Sequence, residues 1–333
     1  MSAPLGTGRW PDVPTYIYGI TREIWEERGV GESLARYYAG DCRVRAPSGL
    51  TTSMAGVAAD TLMTLHQFPD RQLVGEDVIW KPVGSNGAFL SSHRLISVMH
   101  HTGDGRWGRA TGARVKSRII ADCLVDKGQV TEEWLVRDGA AFAHALGTNS
   151  RELSLRQYEA DRAAGRPPAF FTPAMDVQSG YTPECPDDPA VALVTDGLQR
   201  MWEEKTPAVI RRLYAEGAAV HLPGGTVANG HGEIDRWLVS MLAFFPDARL
   251  RVRDATVLRE AEWPVQVAVR FELEAHHVGW GRFGAPTGAP VHLMGLLHAH
   301  VSGGRILAEW LLFDEVAIWT QIFSHAPPAA GLP

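Results

Sequence analysis

Apolar residues recur at helical spacing near the start of the chain and again past its middle. In the first stretch Ile20, Ile24 and Trp25, then Leu34, Tyr37 and Tyr38, fall at three- and four-residue steps. In the second, Val191, Val194, Leu198, Met201 and Trp202 do the same, and Pro207 restarts a helix with Ile210, Leu213 and Tyr214 on one face. After each helical stretch the pattern changes to longer, β-branched runs. In the first half these are LVGEDVIWKPV, AFLSSHRLISVMH, RVKSRIIADCLV and QVTEEWLVRD. Helices followed by a meander predict an α+β domain, an antiparallel sheet wrapped by N-terminal helices.

The two stretches are copies of one unit. Trp25 and Trp202, Tyr37 and Tyr214, and Pro69-Asp70 and Pro246-Asp247 stand 177 residues apart. His100-His101 and His276-His277, Glu133-Trp134 and Glu309-Trp310, and Asp138 and Asp314 stand 176 apart, so the register slips by one residue between Asp70 and His100. This period is too long for a solenoid unit, and each copy is expected to be a whole domain. The expected layout is a domain at 12–147, a proline-rich connector at 148–189 that opens with a helix-compatible run, a domain at 190–325 and a loose tail at 326–333.

Each copy contains G-x-G-x-x-G, in HHTGDGRWGRATG and in HHVGWGRFGAPTG. A dinucleotide cradle needs a helix N-terminus after those glycines. Strand-like sequence follows in both copies, so a hairpin loop is expected and no nucleotide cofactor. The net charge of −6 and pI near 6.1 give no basic surface for nucleic acid. No apolar run reaches membrane-spanning length, and MSAPLGTGRWPDVP lacks the apolar core of a secretory leader. Three cysteines at unrelated spacings fit a reducing compartment, so a cytoplasmic location is expected.

Candidate chemistry comes from strand faces. Alternation in QVTEEWLVRD places Val130, Glu132, Trp134, Val136 and Asp138 on one face, with Glu133 and Arg137 on the other. The second copy repeats this as Ile306, Ala308, Trp310, Leu312 and Asp314. An aspartate ending an apolar face has its ionised form disfavoured and suits acid/base work. It equally suits the N-cap of a following helix, GAAFAHAL or EVAIWTQI. His93 stands where the second copy has Val269, on a face that otherwise reads as interior. Arg118 and Asp122 add polar groups to the first copy. Arg94 and Arg270 are equivalent and lie on the opposite face, in a solvated or interface position. His292, His298 and His300 alternate in the second copy. Their counterparts Lys116, Asp122 and Leu124 do not complete a ligand set, so no metal is expected.

The helix–helix–strand–helix order, FPD before the meander, the Gly-rich hairpin with ATG, and GQVTEEWLVRD resemble the NTF2-like superfamily. The nearest branch is the SnoaL-like polyketide cyclase and ester cyclase group. The resemblance implies a cone-shaped sheet around one pocket and dimerisation through the sheet, here built within one chain as a pseudo-dimer, with a further homodimer open. It also implies cofactor-independent proton transfer on a carbonyl compound: aldol-type cyclisation, isomerisation, or the hydration and dehydration of a lyase. Asp138 and Asp314 match the acid/base position of those cyclases. On this reading Asp138 and His93 are catalytic, and Trp134, Arg118, Asp122, Trp310 and Asp314 bind substrate. The alternative is a non-catalytic protein whose pocket holds an apolar ligand.

Overall fold

The structure, a computed structural model, describes residues 5–328. In the first copy α1 (Val13–Thr21) runs into a π turn (Arg22–Glu26), followed by α2 (Glu32–Tyr37), β1 (Tyr38–Ala46), β2 (Gly49–Thr51) and α3 (Met54–Gln67). Four long strands follow: β3 (Gln72–Val83), β4 (Ala88–His100), β5 (Arg114–Asp126) and β6 (Gln129–Arg137). Then come α4 (Gly139–Ala145) and, in the connector, α5 (Ser150–Ala163). The second copy repeats the order with α6 (Pro189–Trp202), α7 (Ile210–Leu213), β7 (Tyr214–Leu222), β8 (Thr226–Asn229), α8 (Gly230–Phe244), β9 (Arg249–Leu258), β10 (Val265–His276), β11 (Pro290–Ser302), β12 (Arg305–Leu312) and α9 (Glu315–His325). The helix starts follow local chemistry. Asp12 accepts from the Thr15 amide at 2.7 Å and Ser53 from the Gly56 amide at 3.2 Å, each satisfying an orphan N–H of its first turn.

Both sheets have six strands, in the orders β2-β1-β6-β5-β4-β3 and β8-β7-β12-β11-β10-β9. They are mixed and not wholly antiparallel as expected, because β1 pairs with β6, and β7 with β12, in parallel. The chain reaches that far edge through α3 and the whole meander, which frees the pairing from hairpin geometry. One repeat pairing also changes. Tyr38, not Tyr37, is the partner of Tyr214: each opens its strand, and each hydroxyl donates to a glutamate 95 residues on, Glu133 at 2.9 Å or Glu309 at 2.7 Å. The helices carry the one-residue difference.

The repeated motifs are scaffold. Asp70 and Asp247 of the two FPD segments each accept from the amide and imidazole of His100 and His276, with imidazole distances of 2.6 and 2.7 Å. The Gly-rich segments join antiparallel β4 to β5 and β10 to β11, each pinched by a bridge, Gly105 to Gly108 and Gly281 to Gly284. A side chain at Gly103 would fall 2.2 Å from the His66 carbonyl oxygen, so the loop crosses the end of α3 only with glycine there.

The two sheets pack face to face within the chain. Leu90, Ile120, Trp134 and Val136 meet Met294, Leu296 and Leu312, together with Phe171 and Tyr181 of the connector. Charges within this seam follow a pseudo-two-fold. The Arg270 guanidinium lies 3.5 Å from the Trp134 ring centre and donates to Asp122 at 3.1 Å. Arg94 lies 3.6 Å from Trp310 and contacts Nδ1 of His298, the counterpart of Asp122, at 3.1 Å. The connector is more than a spacer, because Leu153, Ser154 and Tyr158 of α5 are buried and the helix packs on α9. The expectation of a loose tail falls partly on residues 329–333, which lie outside the described residues.

Candidate active site

The first copy holds a cavity of about 670 Å³ between its sheet and helices, and the second copy is filled, with about 10 Å³ left. The first cavity is walled by Leu95, Ile119, Ala121 and Leu135 of the sheet and by Ile20, Ile24 and Trp25 of the first helical stretch. Its polar groups include His93 on β4, Glu133 and Arg137 on β6, Tyr38 at the start of β1, Arg71 before β3, and Asp314 from the other copy, and also Arg106, which pairs with Asp161. Alternation explains the sheet members: Glu133, Leu135 and Arg137 point into the cone, and Trp134 and Val136 point into the seam. A groove of about 880 Å³ runs under connector residues Phe170, Thr172 and Pro173. Its carboxylates are largely paired, Asp247 with His276 and Glu203 with Arg249, and its one buried group without a partner among the described residues is the His292 ring, 6.0 Å from Phe171. The cone cavity, with groups left unpaired, is the better candidate.

His93 is buried, and loss of hydration lowers its pKa to about 4, so its ring is neutral near pH 7. Its Nδ1 lies 3.4 Å from Ser91 Oγ. Burial raises the Glu133 carboxyl, with the Tyr38 hydroxyl opposing that shift. Asp314 is pushed up to about 7, first by desolvation, with the nearby Asp138 and Glu315 carboxyls adding to it and the Val316 and Ala317 amides opposing. It caps α9 through the Val316 amide at 2.9 Å and still reaches the cavity.

Comparing the copies separates scaffold from site. The Tyr–Glu pair persists in the filled copy, where Glu309 rises to about 7 by burial, so the pair does not depend on a cavity. His93, Arg137 and Arg71 are replaced there by Val269, Phe313 and Ala248, all buried. Phe271 replaces Leu95 and lies over Gly295, which replaces Ile119; a side chain at Gly295 would meet that ring at 2.2 Å.

Several expected site residues lie elsewhere. Trp134 and Asp138 do share a face, but that face is turned into the seam. Asp138 is 1% exposed and accepts from the amides of Ala141, Gly224 and Gly225 at 2.8–3.1 Å, so it caps α4 and ties the copies together. Its carboxyl is raised by burial, with those three amides opposing. Arg118 donates to both oxygens of Glu76, at 3.0 and 3.1 Å, outside the cavity. Asp122 is buried against Arg270, and Trp310 is stacked on His221 and Arg94. Of the expected residues, only His93 and Asp314 line the cavity.

Asp314 does so because the pseudo-symmetry breaks. Asp138 is sealed by the turn at Gly224-Gly225, whose counterpart is Ser48-Gly49. No hydrogen bond from Ser48 or Gly49 reaches Asp314 among the described residues, and both line the cavity. The connector sits at this junction instead, with the Phe171 amide donating to Pro47 at 2.9 Å.

Arg137, Arg71 and Tyr38 were missed as site residues. The signal that singled out His93, a polar residue facing an apolar counterpart, also marks Arg137 against Phe313 and Arg71 against Ala248. Among the described residues no group of three or more His, Cys, Asp or Glu side chains is placed to hold a metal ion, and no helix is long and apolar enough to cross a membrane.

Fold and cavity define a tandem pair of NTF2-like α+β domains, one hollow and one filled. Residues 192–322 match the model of the SnoaL-like polyketide cyclase family, and the first copy is tied to them by the internal repeat and the same strand order. The second copy thus carries the SnoaL-like match, and the internal repeat and the two sheets of like strand order fit a tandem duplication of that unit. Similar solved structures each span about one copy. IdmH, a candidate polyketide cyclase of Streptomyces antibioticus, is 25% identical and covers 40% of this chain and 98% of its own, at TM-score 0.34. A SnoaL-like protein of Jannaschia sp. CCS1 is 18% identical and covers 46% and 99%, at 0.37. AclR, a candidate hydroxylase of Streptomyces galilaeus, is 16% identical and covers 40% and 94%, at 0.34. No curated protein matches the chain.

Proposed function

We propose that the chain is a cofactor-independent enzyme with a single working cavity, in the first copy, that moves a proton on a carbonyl compound in a cyclisation, isomerisation or dehydration. The observation that carries this is Asp314, a carboxyl raised to about 7, opening into a cavity with apolar sheet and helix walls that also holds a neutral imidazole. A base works best when its pKa lies near the working pH. Ionised Asp314 takes a proton from the carbon beside the carbonyl. The neutral His93 ring donates an N–H to the oxygen that becomes the enolate, which needs no charged imidazole. The protonated carboxyl then returns the proton to carbon or to a leaving oxygen. The second copy supplies this carboxyl and a wall, not a second cone cavity.

The test is solvent exchange. A panel of oxo- and hydroxy-carbonyl compounds is incubated with the full chain in D2O, and loss of the α-proton signal is followed by NMR. Wild type exchanges the α-proton of a compound that fits. His93→Val, which installs the sister residue, slows the exchange by roughly 10²-fold or more, the scale of one lost oxyanion donor. Unchanged exchange in His93→Val, or none with any compound that binds, overturns the proposal and favours a protein that only holds its ligand.

A further inference from the structure

Arg71 and Arg137 both line the first-copy cavity, and neither guanidinium makes a hydrogen bond or ion pair among the described residues. Other arginines in the sheet region are differently placed: Arg45 pairs with Glu132, Arg94 and Arg118 with Glu76, and Arg270 with Asp122. The Arg71 Nε is fully buried with no partner. Arg137 ends an interior strand yet keeps accessible surface, because it looks into the cavity. Burial lowers the proton affinity of both guanidinium groups and brings Arg71 to about 10, with the charge of Arg137 adding to the fall at Arg71 and the acidic groups around Arg137 opposing it there. Two like charges in one cavity, one of them with a buried and unpartnered Nε, raise the energy of the empty site. The carboxylates nearest Arg137 make no ion pair with it among the described residues: Glu133 accepts from Tyr38, Asp60 accepts from Thr51, and Asp314 accepts from the Val316 amide at the cavity wall. The filled copy has Phe313 and Ala248 at these two positions and keeps the same strand order, so the fold does not require the arginines.

We propose that Arg71 and Arg137 form an anion clamp, and that the cavity's substrate is an apolar molecule bearing a carboxylate. This rests on reading the first-copy cavity as the substrate site and adds the substrate's class. Guanidinium groups suit a carboxylate because their planar N–H forks match its two oxygens. The apolar walls of Leu95, Ile119, Leu135 and Trp25 receive the remainder of the molecule.

Calorimetric titration of the full chain tests this with three probes: 2-naphthoate, the isosteric 2-naphthamide and inorganic phosphate. Naphthoate is expected to bind roughly ten- to a hundredfold more tightly than the amide, the range of one charge-assisted contact. Arg71→Gln and Arg137→Gln each remove most of that preference and leave the amide's affinity unchanged, and Arg137→Lys restores part of it. Circular dichroism melts confirm that the variants are folded. Equal affinity for acid and amide, or full preference in the double Gln variant, overturns the clamp. Arginine-dependent phosphate binding without naphthoate binding overturns the carboxylate assignment. The two proposals fail separately: an arginine-dependent naphthoate preference with no proton exchange by wild type keeps the clamp and sinks the catalytic reading, and exchange without that preference does the reverse.

Discussion

Removing Asp122 strands a cation in the middle of the molecule. Arg270 is 3% exposed, and among the described residues its one carboxylate contact is Asp122 at 3.1 Å. Asp122→Ala leaves that charge desolvated, a loss of roughly 3–5 kcal/mol for a broken buried pair. The Trp134 ring, 3.5 Å from the guanidinium carbon, remains and retains about 2 kcal/mol of attraction, which holds the loss toward the lower figure. The pair itself adds little. Burial raises Asp122 to about 6 even with Arg270 beside it, so the ion pair does not fully repay its desolvation. Asp122→Ala combined with Arg270→Met is therefore expected to recover most of the stability lost by the single change. Urea unfolding near pH 7.5 measures both, followed by intrinsic tryptophan fluorescence and by far-ultraviolet dichroism, whose coincidence tests whether the copies unfold together. A single variant within about 1 kcal/mol of wild type, or a double variant no better than the single, refutes the reasoning. The sign of the pH effect follows. The native carboxyl keeps a proton that the unfolded chain, with a carboxyl pKa of 3.8, has already released, so this group's contribution to stability falls as pH rises from there to about 6. The double variant flattens that slope.

Two further predictions concern the cavity. The rate of proton transfer should rise with pH through about 7 as Asp314 ionises, and Asp314→Asn, which keeps the helix cap, should abolish that limb and lower turnover by roughly 10²–10⁴ while changing stability little; a retained limb assigns the titration to another group. Gly139→Ala should displace the Asp314 carboxyl, since the added carbon would lie 2.3 Å from its Oδ1; an unchanged pH–rate midpoint would show that the carboxyl does not depend on that contact.

The repeat, the helical stretches, the hairpin loops and the capping aspartates were legible because each depends on local chemistry. His93 was legible because the chain contains its own control in Val269. The direction of β6 was not. Both its faces are buried, one in the cone and one against the sister sheet, so alternation separates Trp134 from Leu135 without saying which looks into a cavity. The capacity of Asp314 to serve the opposite copy was also hidden. It depends on which of two equivalent junctions the connector fills, a question of tertiary geometry that no spacing encodes.

A dimer of identical chains must write every seam substitution twice. Its two junctions would both read aspartate–arginine or both histidine–arginine. Fusion into one chain removes that constraint. Asp122 meets Arg270 on one side of the axis, and on the other His298 meets Arg94, with Ser92 bonded to its second nitrogen at 2.8 Å. One half has thereby become free to lose its hollow and serve as a permanent partner, an inheritance that no separate subunit can supply or withdraw.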